Sequence, residues 1–200
     1  MNMRTALRRA GLGLTVALTF AIAGLGAVPG AQAATAAPAT TLAAASATTS
    51  VTPDGTVYYG YELKNYHSGL CLNDPGYSKT ANTAMIQWGC GKNANGEWDL
   101  NGIGNNTGEY QIISTESTMC LQPKNSHAAS GTSIVQYPCS STGAQHWYLI
   151  DSPEKGYYLL QQAGTDLCLN VSGASQSYGG HIIEYTCSDA HNSLWDPKKA

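Results

Sequence analysis

A repeated spacing of cysteine and tryptophan residues constrains this chain more than any other feature of its sequence. Cys71 is followed after 19 residues by Cys90 and after 8 more by Trp98. Two further sets keep both intervals, namely Cys120, Cys139 and Trp147, and then Cys168, Cys187 and Trp195. A repeat of 48 to 49 residues indicates one supersecondary unit used three times, and units this small must share a core.

The N-terminal part of the chain is predicted to lie outside the repeats. Three arginines precede a short apolar run that ends near a small-x-small cleavage pattern, so residues 1–33 are predicted to be a secretory signal peptide. A membrane anchor is the alternative, but the run is rich in Gly and Ala and lacks a basic stop-transfer flank. Residues 34–54, mostly Ala, Thr and Ser, are predicted to form a flexible leader. Residues 55–200 then form one domain of a secreted, extracellular protein.

The charge of the exported chain limits its partners. Removal of residues 1–33 takes away all three arginines and leaves 7 lysines against 13 acidic residues, a net formal charge of −6. An acidic chain without arginine is poorly suited to binding nucleic acid or anionic lipid. We therefore expect no nucleic-acid partner and no membrane insertion, and we expect a monomer.

The six cysteines are most simply three disulfides in an exported protein. Pairing within each repeat closes three equal loops of about 20 residues, each worth roughly 3 kcal/mol by the chain-entropy relation. The predicted pairs are Cys71–Cys90, Cys120–Cys139 and Cys168–Cys187. A zinc site is not expected, because the cysteines form no Cys-x-x-Cys pair and have no nearby pair of histidines, and no cofactor is predicted.

Each repeat contains four short segments typical of strands, separated by turn residues, and none shows a sustained helical period. The repeats span about residues 58–105, 106–154 and 155–200. The predicted strands are 58–63, 70–73, 84–88, 97–100, 110–114, 119–122, 133–137, 146–150, 157–162, 167–170, 181–185 and 193–195. Three four-strand units around one core predict an all-β chain with the β-trefoil fold, in which the three repeated tryptophans are core residues.

Short motifs around the cysteines carry a resemblance to a known family. They are Cys-Leu-Asn at 71–73, Met-Cys-Leu-Gln at 119–122, Leu-Cys-Leu-Asn at 167–170 and Gln-His-Trp at 145–147. Together with the paired cysteines, these motifs resemble the ricin B-type lectin family with its Gln-x-Trp repeats, over residues 58–196. The resemblance implies a β-trefoil that binds sugars and has no catalytic activity of its own.

The resemblance also implies where sugars bind. A family pocket typically takes an Asp two residues after the first cysteine, a ring two before the second and an Asn three before the repeat Trp. The residues at these positions are Asn73, Trp88 and Asn95, then Gln122, Tyr137 and Ala144, then Asn170, Tyr185 and Asn192. The charged acceptor is thus absent from every repeat. Repeats one and three each keep two side-chain amides and a ring that can lie on the face of a pyranose. Repeat two has Ala144 in place of the second amide, so it is expected to bind more weakly, with Gln145 of its Gln-x-Trp as a further candidate contact.

One strand position departs from the family in all three repeats. The family's glutamine, four residues before the second cysteine, is replaced by Ile86, Val135 and Ile183. Polar residues follow one place later, as Gln87, Gln136 and Glu184. Because side chains alternate along a strand, these three are expected to face away from the pocket unless a bulge turns them back.

The expected function is that of a carbohydrate-binding module for glycans or polysaccharides. The alternative is a β-trefoil that binds a protein, such as a secreted inhibitor or a toxin-targeting subunit with vestigial sugar sites, because a fold does not determine function. An enzyme has little support: the sequence contains no Gly-x-Ser-x-Gly, no His-Glu-x-x-His and no phosphate loop, and its histidines share no position in the repeat.

Overall fold

The structure is a computed structural model that describes residues 55–104 and 107–200, which form 12 strands and six short 3₁₀ turns. The strands are β1 Val57–Asn65, β2 Cys71–Asn73, β3 Ile86–Trp88, β4 Trp98–Gly102, β5 Glu109–Ser114, β6 Cys120–Pro123, β7 Ile134–Tyr137, β8 Trp147–Asp151, β9 Tyr158–Gln162, β10 Leu167–Val171, β11 Ile182–Thr186 and β12 Leu194–Lys199. The turns are Pro75–Tyr77, Ala94–Gly96, Lys124–Ser126, Gly143–Gln145, Ser172–Ala174 and His191–Ser193. The predicted signal peptide and leader lie outside the described residues.

Six of the strands close into an antiparallel barrel. Strand β1 pairs with β4 and β12, β5 pairs with β4 and β8, and β9 pairs with β8 and β12. The other six form the hairpins β2–β3, β6–β7 and β10–β11, one in each repeat. Isolated bridges between the hairpins, at Ala84–Val135, Ile86–His181 and Ser133–Ile183, bring the three together. This is the all-β trefoil that the repeat predicts.

All 12 predicted strands are present, with small differences at their ends. Strand β12 continues beyond the predicted end to Lys199, because residues from Trp195 onward pair with β1. Strand β3 is shorter than predicted, because Ala84 makes only an isolated bridge. The register of β1 against β4 shifts between Tyr58 and Tyr61, where the backbone N–H of Gly60 donates to Asp99 Oδ1 at 2.8 Å.

The three repeated tryptophans lie in the core, as predicted. Trp98, Trp147 and Trp195 are fully buried, and each indole N–H donates to the backbone carbonyl 26 residues earlier. The acceptors are Leu72, Leu121 and Leu169, at distances of 3.1, 3.2 and 2.9 Å. Because a buried indole needs such a partner, the same bond in each repeat ties the barrel to the first strand of each hairpin.

The disulfides are the three pairs within the repeats that the spacing predicts. Cys71–Cys90, Cys120–Cys139 and Cys168–Cys187 each join residues 19 apart, with Cα–Cα distances of 5.1, 5.0 and 4.9 Å. Each bridge crosses from the start of the hairpin's first strand to the segment after its second strand. The hairpins that carry the candidate site residues are therefore closed covalently.

Gln87, Gln136 and Glu184 face the interior, as the alternation of strand side chains predicts, and all three are fully buried. Gln87 reaches into the repeat-three loop before Gly180, and Gln136 reaches into the repeat-one loop before Thr83. These glutamines therefore hold the loop of one repeat against the hairpin of the next. Within residues 55–104 and 107–200, no helix is long and apolar enough to cross a membrane.

Candidate functional site

A cavity of about 400 Å³ opens beside the hairpin of repeat one. It lies between the turn Pro75–Tyr77, strand β3 and the turn Ala94–Gly96. Its lining residues are Asn73, Pro75, Gly76, Tyr77, Ile86, Trp88, Asn93 and Asn95. The cavity thus brings together the three residues predicted for this repeat and has a volume within the range of small-molecule sites, about 300 to 1,000 Å³.

A second cavity, of about 420 Å³, occupies the equivalent place in repeat three. It lies between the turn Ser172–Ala174, strand β11 and the turn His191–Ser193. Its lining residues are Asn170, Ser172, Gly173, Ala174, Ile183, Tyr185, Ser188, Ala190 and Asn192. Here too the predicted ring and both predicted amides meet in one place, although Ala174 takes the position that Tyr77 has in repeat one.

The two amides of repeat one are bonded to each other. Asn95 Nδ2 donates to Asn73 Oδ1 at 2.9 Å and to the backbone carbonyl of Asp74 at 3.1 Å. Since an amide nitrogen has two hydrogens, both are used, and Asn95 Oδ1 remains to accept a hydrogen bond from a ligand. The amide of Asn73 approaches Gly96, where a side chain would stand 3.1 Å from Nδ2. Glycine at this position therefore leaves that amide group uncrowded.

Repeat three has the same arrangement with one addition. Asn192 Nδ2 donates to Asn170 Oδ1 at 3.0 Å and to the backbone carbonyl of Val171 at 2.9 Å, which again leaves Oδ1 for a ligand. Asn170 Nδ2 also donates to Ser193 Oγ at 2.7 Å. One of the two amide hydrogens of Asn170 is therefore already used within the protein.

Repeat two forms its amide pair from different positions. Gln145 Nε2 donates to Gln122 Oε1 at 2.8 Å and to the backbone carbonyl of Pro138 at 3.0 Å. Gln145 Oε1 accepts from the backbone N–H of Ser140 at 2.7 Å, and the residue is fully buried. Both ends of the Gln145 amide are thus engaged in holding the loop, and Ala144, at the position of Asn95, has no polar side-chain atom.

The three predicted rings lie on the surface. Trp88, Tyr137 and Tyr185 are 47, 41 and 51 % exposed, and each pairs in register with the first cysteine of its repeat. A ring fixed on a disulfide-closed hairpin and open to solvent can lie against the apolar face of a sugar.

Two aromatic residues near the first cavity were not predicted from the sequence. Tyr77 lines the cavity, and Tyr178, from repeat three, lies beside Trp88 with ring centroids 4.9 Å apart. Tyr77 could have been noticed, because only repeat one has an aromatic residue at that position. The position of Tyr178 gave no such signal, because 90 residues separate it from Trp88.

Asp74 does not replace the family's carboxylate. It follows Asn73 directly, but its side chain is fully buried and is outside the cavity lining. Neither carboxylate oxygen makes a hydrogen bond of normal geometry. Burial raises the pKa of Asp74 to about 6, and a weaker interaction with the backbone of Ser78 lowers it by less. Repeat one therefore offers a ligand neutral amides and rings.

The described residues contain one close group of potential metal ligands, formed by Glu62, Cys71 and Cys90, with ligand atoms within 4.8 Å of one another. Both sulfurs belong to one disulfide and are not thiolates. Since a thiolate is the form of cysteine that binds metal, this group does not make a metal site.

The 12 strands and the one disulfide in each repeat define an all-β protein with the β-trefoil fold. The profile of the family described as ricin-type beta-trefoil lectin domain-like matches residues 48–137, 94–185 and 143–200, and the chain belongs to this family. A comparison with curated protein sequences found no match.

Solved structures show the same fold. The designed threefold-symmetric protein ThreeFoil is 28 % identical, with a TM-score of 0.66, and the match covers 70 % of this chain and 99 % of that one. The Macrolepiota procera ricin B-like lectin, solved with lactose, is 16 % identical, with a TM-score of 0.62 over 74 % of this chain and 99 % of the lectin. An exo-beta-1,3-galactanase from Clostridium thermocellum is 23 % identical, with a TM-score of 0.66, and the match covers 71 % of this chain but only 30 % of the enzyme. The fold thus occurs in lectins and as a part of enzymes.

Proposed function

We propose that this protein is a secreted carbohydrate-binding protein that binds glycans or polysaccharides through the cavities of repeats one and three, without catalytic activity of its own. The observation that carries the proposal is that both cavities combine an exposed ring with an amide pair in which Oδ1 of Asn95 or Asn192 is left for a ligand. A sugar has an apolar C–H face and hydroxyl groups around it, so a ring and two amides match its surface. Family membership and the lactose complex of the Macrolepiota procera lectin support the same class of ligand.

Repeat two contributes less in this proposal. Its ring, Tyr137, is exposed, but the amide of Gln145 is hydrogen-bonded within the protein and the side chain of Ala144 has no polar atom. Each working pocket is shallow and uncharged, so one site should bind with a dissociation constant near the millimolar range, about −4 kcal/mol. Retention on a polymer then depends on two sites binding the same chain, which raises the effective affinity without new contacts.

The proposal is tested with the purified domain on a glycan array and by affinity electrophoresis in gels that contain neutral polysaccharides. We expect retention by at least one polysaccharide, with weaker binding of its single sugar. The competing function is protein binding. Capture of a defined protein partner, combined with no binding to any glycan, would replace the proposal with the protein-binding trefoil.

Export is a separate part of the proposal. It rests on the predicted signal peptide at residues 1–33 and on three disulfides, which form and persist in oxidising compartments. N-terminal sequencing of the protein recovered from culture medium should give a start near Ala34. Recovery only from the cytoplasm, with residues 1–33 intact, would contradict export while leaving the sugar-binding proposal open to its own test.

A further inference from the structure

Aromatic rings on the surface are concentrated around the cavity of repeat one. The exposed large apolar side chains of the described residues are Tyr59, Tyr77, Trp88, Tyr137, Tyr178 and Tyr185. Three of these six, Tyr77, Trp88 and Tyr178, lie at this cavity or directly beside it. Scattered single rings are ordinary on a protein surface, whereas exposed apolar groups gathered in one place mark a binding surface.

The extra ring that lines the cavity is particular to repeat one. Equivalent positions lie 49 residues apart between repeats one and two and 48 apart between repeats two and three. The equivalents of Tyr77 are accordingly Ser126 and Ala174. Because the fold forms the same turn with a serine or an alanine there, Tyr77 is not required by the packing of the turn.

The ring beside Trp88 is also particular to this site. Tyr178 comes from the loop of repeat three, and the equivalent positions in the loops of repeats one and two hold Ala81 and Ser130, which have no ring. The rings of Trp88 and Tyr178 are 4.9 Å apart at their centroids and tilted by 34°, and Tyr178 remains 61 % exposed. The two rings therefore form one surface that continues outside the cavity and crosses the boundary between repeats.

The loop that carries Tyr178 is fixed against repeat one by Gln87. The side-chain Nε2 of Gln87 donates to the backbone carbonyls of Ser175 and Ser177, at 2.8 and 2.9 Å. Two further backbone hydrogen bonds, of 2.8 and 2.9 Å, join Gln87 to the end of the loop 175–180. A ring held in place before binding loses little freedom when a ligand arrives, and this preorganisation favours affinity.

We infer that the site of repeat one extends across the repeat boundary onto Tyr178 and takes at least two consecutive residues of a neutral glycan chain. One sugar residue occupies the cavity lined by Tyr77 and Trp88, and the next lies on the exposed ring of Tyr178. Every residue that lines the cavity is uncharged, which suits a neutral sugar better than a uronate or a sulfated one. The inference rests on the proposed function and adds to it the length of the ligand at one site.

The test measures how binding depends on chain length. Neutral xylose-, glucose-, mannose- and galactose-based series, from the monosaccharide to the hexasaccharide, are titrated calorimetrically into the Tyr185→Ala variant, in which the ring of repeat three is absent. Affinity should rise from one sugar residue to two or three. Adding Tyr178→Ala should lower the affinity for the longer members about tenfold and leave the monosaccharide affinity unchanged, whereas Tyr178→Phe, which keeps the ring, should retain both.

Tyr59→Ala is the matched control, because Tyr59 is an exposed tyrosine that lies outside the cavity lining. It should change neither affinity, and thermal unfolding should show that every variant is folded. An equal loss for the monosaccharide and the longer chains would mean that Tyr178 only positions Trp88, and no loss at any length would remove it from the site. Either result overturns the inference and leaves the proposed function standing. If the unmodified protein binds no member of any series, the proposed function fails first, and the inference fails with it.

Discussion

Asn95 donates both hydrogens of its amide inward, one to Asn73 Oδ1 at 2.9 Å and one to the backbone carbonyl of Asp74 at 3.1 Å. The bond between the two side chains joins residues 22 apart and is buried. It is repeated in repeat three between Asn192 and Asn170. Because an amide nitrogen carries two hydrogens, Asn95 satisfies both acceptors at once, and its Oδ1 takes part in neither bond.

Replacement of Asn95 by Asp should damage both stability and binding. A carboxylate cannot donate, so Asn73 Oδ1 and the carbonyl of Asp74 lose their partner and face a negative charge. We expect the free energy of unfolding to fall by about 2 kcal/mol, as for a buried acceptor left unsatisfied, and glycan binding at this site to be lost. Urea unfolding and affinity electrophoresis measure the two effects.

Asn93→Asp is the matched control for that change. Asn93 also lines the cavity, but it is exposed and its side chain makes no capping hydrogen bond, so the variant adds the same charge without breaking the amide pair. Its free energy of unfolding should stay close to that of the parent. Equal stability of the two variants would show that the Asn95 bond does not hold the site together.

The repeat spacing was sufficient to predict the buried tryptophans and the disulfides, and the strand and turn residues within each repeat were sufficient to predict the strands, because all three features recur in every repeat. It was not sufficient for the polar pair of repeat two. Gln145 follows Ala144, the position of Asn95, by one residue, yet its longer side chain reaches Gln122, itself one methylene longer than Asn73. The shift of the amide by one residue and the longer side chains at both positions together restore the hydrogen bond between the two amides, which a comparison of single positions does not reveal.

The contact between the rings of repeats one and three also could not be predicted from the sequence. Trp88 and Tyr178 meet because the threefold arrangement folds the loop of repeat three over the hairpin of repeat one. Since the residues equivalent to Tyr178 in the other two repeats are Ala81 and Ser130, no period in the sequence marks the contact. Sequence reasoning thus predicted what the repeats share and the loss of an amide in repeat two, whereas the structure was needed to find the contact between Trp88 and Tyr178.

The ring variants rank the three sites. Trp88→Ala and Tyr185→Ala should each weaken retention by the polysaccharide that binds the parent about tenfold, or about 1.4 kcal/mol, because each removes the surface on which a sugar stacks. Tyr137→Ala should have a small effect, since the amides of repeat two are engaged with the protein. Affinity electrophoresis with the same polysaccharide gives all three values.

The double variant Trp88→Ala/Tyr185→Ala should not bind. Near-ultraviolet circular dichroism and thermal unfolding establish that it is folded, which is expected because both rings are exposed. If the folded double variant were retained as well as the parent, the cavities of repeats one and three would be vestigial, and protein binding would become the better function for this chain.

Each disulfide should contribute a similar stability. The three bridges close loops of the same length, each with a sequence separation of 19. Replacement of Cys71 and Cys90 by Ala should lower the free energy of unfolding by about 3 kcal/mol, and the same change at Cys120 and Cys139 should cost about as much. Urea unfolding under non-reducing conditions provides the comparison. A pair whose removal costs nothing would contradict a shared role of the bridges in stabilising the hairpins.

Stability should also depend on pH through Glu184. This residue is the repeat-three counterpart of Gln87 and Gln136 and is fully buried, and neither of its carboxylate oxygens makes a hydrogen bond of normal geometry. Burial raises its pKa from 4.5 to about 7, although the backbone of Ala129 acts in the opposite direction. The folded protein therefore binds more protons than the unfolded chain between these two values, so stability falls as the pH rises through that window and levels off above it. Asp74, whose pKa is raised from 3.8 to about 6, likewise lowers the stability as the pH rises between these two values.

Glu184→Gln should remove most of this dependence. The amide carries no charge to desolvate, and its nitrogen can donate to the neighbouring loop as those of Gln87 and Gln136 do. We expect a gain of roughly 3 kcal/mol in the free energy of unfolding at pH 8, from a pKa difference of about two and a half units at about 1.4 kcal/mol each, and a much smaller gain at pH 5. Urea unfolding at the two pH values measures both. Gln87→Glu is the matched control, since it should introduce in repeat one the loss at high pH that Glu184→Gln removes from repeat three. An unchanged difference between pH 5 and pH 8 in Glu184→Gln would show that the buried carboxyl of Glu184 is not the group that makes stability depend on pH.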